Sequence, residues 1–141
     1  KHRKKYAPSI RKFSSVQDCL QRAERRKAQP DLTKIDWRGI DTNEDAAVCL
    51  FRIASSYATP KDMENWMNEQ GFKTTIIVPP ASGKDKIIVS GNWNTEKNGS
   101  KFYSNWFVRA WIYLFAYGES YSATYDENNT VYLTKVSQSY L

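Results

Sequence analysis

The chain is short of the groups that most chemistry needs. It has one histidine, His2, inside a basic N-terminal run, and two cysteines, Cys19 and Cys49. Neither cysteine belongs to a C-x-x-C pair, and no further His or Cys accompanies them. Four protein ligands of those types are what a structural zinc site takes, so no metal is expected. The dipeptide Gly83-Lys84 in "PPASGKD" lacks the first glycine and the closing Ser/Thr of a phosphate loop, and it reads as a hairpin loop. Acidic residues are scarce at the front. Residues 1–40 carry twelve Lys/Arg against four Asp/Glu, a net +8, whereas residues 41–141 carry nine against eleven, a net −2. No apolar run reaches the ~18 residues that a spanning helix requires. The chain begins at Lys1 without a methionine, which reads as a processed or excised piece of a longer protein.

What is present is an ordinary soluble composition with an excess of rings. Of 141 residues, 40% are hydrophobic, 26% are charged and 14% are aromatic. That length suits one domain. The division expected is a basic flexible arm over 1–13 and a single α+β domain over 14–141. Lys1, Arg3, Lys4, Lys5, Arg11 and Lys12 of the arm are the groups expected to touch phosphates or an anionic membrane surface.

Three helices are expected in the first half. "SSVQDCLQRAERRKAQPD" has Ser15 and Asp18 in capping positions and Val16, Cys19, Leu20 and Ala23 on one face. A second helix begins near Thr42 or Asn43, with Glu44 and Asp45 in its first turn and Ala46, Cys49, Leu50, Ile53, Ala54 and Tyr57 as its stripe. In the third, Thr59 caps, Pro60 opens and Gly71 stops the helix. Beyond Gly71 the apolar period shortens to two. "KTTIIVPP" and "KIIVSGNWN" read as a hairpin, and "YSATYD" and "TVYLTKV" as two strands joined through "ENN". Asn98-Gly99 reads as a further turn.

The run "WFVRAWIYLFAY", Trp106 to Tyr117, holds six aromatic rings and one charge. As a strand it sorts into two faces. Trp106, Val108, Ala110, Ile112, Leu114 and Ala116 suit packing under helices. Phe107, Arg109, Trp111, Tyr113, Phe115 and Tyr117 form an aromatic outer face fit for binding. This strand would pair forward through "GES" with "YSATYD". The fold expected is therefore α+β, with three N-terminal helices on one face of a four- to five-stranded antiparallel meander. By element order alone, with no shared motif, this is a cup of the cystatin or NTF2 kind.

Cys19 and Cys49 each lie on the apolar stripe of a helix, so the pair reads as a disulfide, with a lean to a periplasmic or secreted setting. Asn98-Gly99-Ser100 and Asn128-Asn129-Thr130 match the glycosylation acceptor pattern. The function expected is a non-enzymatic protein-binding module of the inhibitor, immunity or adaptor type. It would have a protein partner or a second copy of itself, and no cofactor. A nucleic-acid binder using the arm and aromatic stacking is the alternative. A small-ligand carrier or enzyme with a pocket between sheet and helices is the third reading.

Overall fold

A computed structural model describes residues 2–80, 86–98, 101–102 and 116–140. It has the α+β architecture: helices α1 (His2–Lys12), α2 (Asn43–Ser56) and α3 (Pro60–Glu69), then strands β1 (Lys73–Ile77), β2 (Ile87–Asn94), β3 (Ala116–Tyr125) and β4 (Val131–Tyr140). The one-turn helix α4 (Thr95–Asn98) follows β2. The strands form one antiparallel sheet in the order β1-β2-β3-β4.

Local chemistry explains α2 and α3. The Thr42 hydroxyl accepts from the Asp45 amide at 3.0 Å, and the Thr59 hydroxyl accepts from the Asp62 amide at 3.2 Å. Each bond satisfies a donor that the first turn leaves open. Pro60 takes the first position of α3, where no amide hydrogen is needed. Gly71 ends that segment with φ at +91°, a conformation only glycine adopts cheaply.

The sheet buries one face. Val89, Ala123 and Thr134 lie side by side across β2, β3 and β4, as do Gly91, Tyr121 and Val136. These residues are buried, and the Thr134 hydroxyl donates to the Ala47 carbonyl of α2 at 2.6 Å. A Cβ at Gly91 would come within 3.0 Å of the Phe72 side chain and 3.1 Å of the Met67 sulfur, so the glycine is what lets the end of α3 approach β2. Ile53, Met63, Met67 and Leu20 fill the space between the helices and the sheet with almost no exposure.

Three expectations need correction. The first helix lies at 2–12 instead of 15–30. Only Val16–Cys19 turns helically, as a 3-10 turn with Ser15 and Asp18 as its capping box. Past it, Leu20 bridges Ile35 antiparallel, and the Gln21 amide donates to Lys34. Leu20 and Cys19 are buried while Ala23 is exposed, so the expected stripe stops after one turn. The buried Glu24 carboxylate closes the reversal by accepting from Lys27 and from the Asp31 amide.

The arm expected over 1–13 is the second correction. Residues 2–12 form α1, and a buried carboxylate holds it down. Asp45 of α2 accepts from the Ser9 hydroxyl at 2.6 Å, the Lys12 ammonium at 2.9 Å and the Asp41 amide at 3.1 Å. Phe13 is buried just beyond the helix.

Third, "GES" is not a turn. Gly118, Glu119 and Ser120 lie within β3, and β2 pairs directly with it from Ile87↔Tyr125 to Asn94↔Gly118. The Asn98-Gly99 turn is only partly described, because Asn98 closes α4 and Gly99 lies outside the described residues. The expected aromatic outer face of Phe107, Arg109, Trp111, Tyr113, Phe115 and Tyr117 lies outside the described residues apart from the Tyr117 backbone. On the described strands the face away from the helices carries Ser90, Asn92, Ser120, Ser122, Lys135 and Ser137. The described rings of Trp37, Phe72, Trp93, Phe102 and Tyr121 cluster on the helix side, with centroids 4.5–6.4 Å apart. The "ENN" turn between β3 and β4 forms as expected. Asp126 accepts from the Asn128 and Thr130 amides, and Asn129 takes a left-handed φ of 59°.

Candidate functional site

A concave apolar groove of about 430 Å³ runs between α1, α2 and β4. Its floor is one face of α2, made of Ala47, Val48, Phe51 and Arg52. Tyr6 and Ile10 of α1 form one wall, and Tyr132, Leu133 and Thr134 of β4 form the other. Asp45, the Arg52–Phe13 bond and the Lys5–Glu44 pair tether α1 to α2 beside the groove. Three rim residues stay wet although they are large and apolar: Ile10 is 45% exposed, Tyr132 42% and Leu133 50%. Such a concentration of apolar side chains beside a concavity marks a binding surface more often than a chance exposure.

Among the described residues β4 pairs with β3 alone, and its register shifts between Thr124 and Tyr125, leaving Tyr132 as the extra residue of a bulge. Tyr132, Leu133 and Thr134 are consecutive, so the groove meets both faces of the strand.

Arg52 supplies the charge at the floor. Its Nε donates to the Phe13 carbonyl at 3.1 Å. The terminal nitrogens of its guanidinium meet no acceptor among the described residues. Among the described residues the lining holds no carboxylate, histidine or cysteine. The groove offers apolar contact and one anion-seeking fork.

Of the residues expected to contact anions, Lys5 pairs with Glu44 at 3.2 Å and Lys12 with Asp41 and Asp45. Burial works against the Lys12 charge, but its hydrogen bonds and Coulombic attraction to Asp45 and Asp41 prevail and hold its pKa above the usual lysine value. Lys4 and Arg11 point to solvent with no ion pair among the described residues. Lys1 and the Arg3 side chain lie outside the described residues. So do Phe107, Arg109, Trp111, Tyr113 and Phe115; Tyr117 is placed by its backbone on β3. Cys19 and Cys49 form the expected disulfide, with Cα atoms 5.7 Å apart.

A second constellation was invisible in the sequence. The Lys101 ammonium sits 4.2 Å from the Trp93 ring centroid, 4.9 Å from that of Trp37 and 5.3 Å from that of Phe72. Burial there lowers the Lys101 pKa, and the nearby Glu119 carboxylate works in the opposite direction. Trp37 is fixed by its indole donating to Gln70, whose own amide donates to the Thr33 carbonyl. The buried Glu119 accepts from the Lys101 amide at 2.8 Å and from Gln138 at 3.1 Å, and Gln138 pairs in turn with Asn43. Cation–π attraction of this kind pins residue 101 to the core. The Lys101 ammonium is thus the cation that these three rings hold.

Among the described residues, no three His, Cys, Asp or Glu side chains come together as a metal-donor set, and no helix is long and apolar enough to cross a membrane. No protein-family model matches the chain, and neither a curated protein nor a solved structure matches it.

Proposed function

We propose that this chain is a non-enzymatic protein-binding module, of the inhibitor, immunity or adaptor type, that seats its partner in the groove between α1, α2 and β4. The observation that carries the reading is the wet apolar rim of Ile10, Tyr132 and Leu133 around an apolar floor. Interface centres are desolvated apolar patches with few charges, and this groove has that composition. The Cys19–Cys49 disulfide supports an extracytoplasmic setting, because such bonds persist where the surroundings are oxidising. The aromatic run from Trp106 to Tyr117, with Phe107, Arg109, Trp111, Tyr113, Phe115 and Tyr117, is a second surface for the same function.

The test compares three baits in a quantitative pull-down from the native host: the wild type, Leu133→Asp and Trp111→Ala. Both variant positions are chosen to remove contact area. Loss of one saturable partner with Leu133→Asp, and its retention with Trp111→Ala, is the expected result. The reverse pattern moves the interface to the aromatic run. A nucleic-acid reading is favoured by the unpaired Lys4 and Arg11 on α1. It requires nuclease-sensitive binding that falls steeply with salt and depends on those two residues.

A further inference from the structure

We infer that the segment seated in the groove is an acidic amphipathic helix, with a carboxylate that forks onto Arg52. This rests on the groove reading above and names the partner's chemistry.

Arg52 provides the first argument. Arg52 is half-buried, and a guanidinium on an apolar floor is matched by a planar carboxylate, which meets its two terminal nitrogens at once. Its remaining nitrogen is already committed to the Phe13 carbonyl, which fixes the fork in place. Among the described residues no acid pairs with it; Glu44 is bound to Lys5 and Asp45 to Ser9 and Lys12. Lys4 and Arg11 on α1 and Lys135 on β4 are exposed and unpaired among the described residues, so the surroundings add positive potential. The groove is thus complementary to negative charge in sign as well as to apolar surface in shape.

The form of the occupant follows from the walls. The exposed rim of Ile10, Tyr132 and Leu133 leaves the groove open on one side, so a bound segment keeps one face in water. That suits an amphipathic element and wastes half of a wholly apolar one. Addition of a strand to β4 is disfavoured, because the bulge at Tyr132 sets two residues against one and twists the edge away from a regular partner. A helix needs no main-chain pairing and packs by side chains alone, as in other helix-in-groove complexes.

The probe is a labelled amphipathic peptide with a single glutamate set within its leucine face and a neutral polar opposite face, measured by fluorescence anisotropy against its glutamine and lysine counterparts. The glutamate peptide is expected to bind about tenfold or more tighter than the glutamine peptide, the scale of a charge-assisted hydrogen bond. Added salt narrows that gap, and Arg52→Met closes it. The lysine peptide is expected not to bind. Melting curves show whether Arg52→Met is folded, and the glutamate-to-glutamine exchange reads the same interaction with the protein unaltered. Equal binding of the glutamate and glutamine peptides, with both lost in Leu133→Asp, overturns the acidic inference and leaves the groove reading standing. Peptide binding that Leu133→Asp does not change overturns the groove reading itself.

Discussion

Tyr125 shows how one residue registers its surroundings. It is buried on β3, and its hydroxyl meets no hydrogen-bond partner. Burial first, and the Asp62 charge second, push its pKa up to about 12. An unfolded tyrosine ionises near 10. Between those values the native state holds a proton that the unfolded chain has lost, so stability falls as pH rises through that window. Below it the contribution is constant. Absorbance titration is expected to show one phenol ionising only with unfolding, and Tyr125→Phe should flatten the alkaline loss of stability. Lys12 acts in the same direction, since its raised pKa makes its ion pairs with Asp45 and Asp41 a contribution that is lost at alkaline pH. Its effect must therefore be compared in both backgrounds. Sequence patterning could not anticipate either shift, because the causes lie on α2 and α3.

At the scale of elements, what was legible depended on whether local chemistry decides the structure. Thr42, Thr59, Pro60 and Gly71 set the ends of α2 and α3 through hydrogen bonds and backbone freedom within a few residues. The alternation in "KIIVSGNWN" fixed β2, and the Cys19–Cys49 bond forms as expected although Cys19 sits in a 3-10 turn and not on a helical stripe. The failures are elements decided by distant partners. Pro8 and a run of cations disfavour α1 locally, yet the helix forms because Ser9 and Lys12 satisfy the buried Asp45. Residues 20–30 favour a helix locally, yet the Leu20–Ile35 bridge reverses the chain there. Gly118-Glu119-Ser120 reads as a turn, yet Glu119 is held in the sheet by the Lys101 amide and Gln138.

Two outcomes follow at this scale. Asp45→Ala leaves the buried Ser9 donor and two partly buried donors, Lys12 and the Asp41 amide, unmet and should cost about 2–3 kcal/mol. It should also release α1, visible as lost helical amide protection over residues 4–12. Replacing both Cys19 and Cys49 with serine should lower stability by about 3–4 kcal/mol, because the bond closes a separation of 30 residues. Thiol titration of the denatured, unreduced wild type should find no free thiol. Denaturant melts of each variant against the wild type give both differences.

For the molecule as a whole, the charge asymmetry acquires a location. The +8 of residues 1–40 includes α1, which forms one wall of the groove, with Arg52 at its floor. The groove could not be read from sequence, because its walls come from residues 6–10, 47–52 and 132–134. Its α1 wall belongs to the segment expected to be an arm. Among the described residues the outward face of the sheet carries Ser90, Ser120, Ser122 and Ser137 toward one end and Ile77, Ile88 and Leu133 toward the other. The central claim is that binding occurs between α1, α2 and β4. The most direct measurement is an amide chemical-shift titration of the isotope-labelled chain with the partner recovered from its native host. The account predicts that the perturbed amides fall within residues 6–13, 47–52 and 131–135. Perturbation centred on Ser90, Ser122 and Ser137, with the groove unchanged, would contradict it.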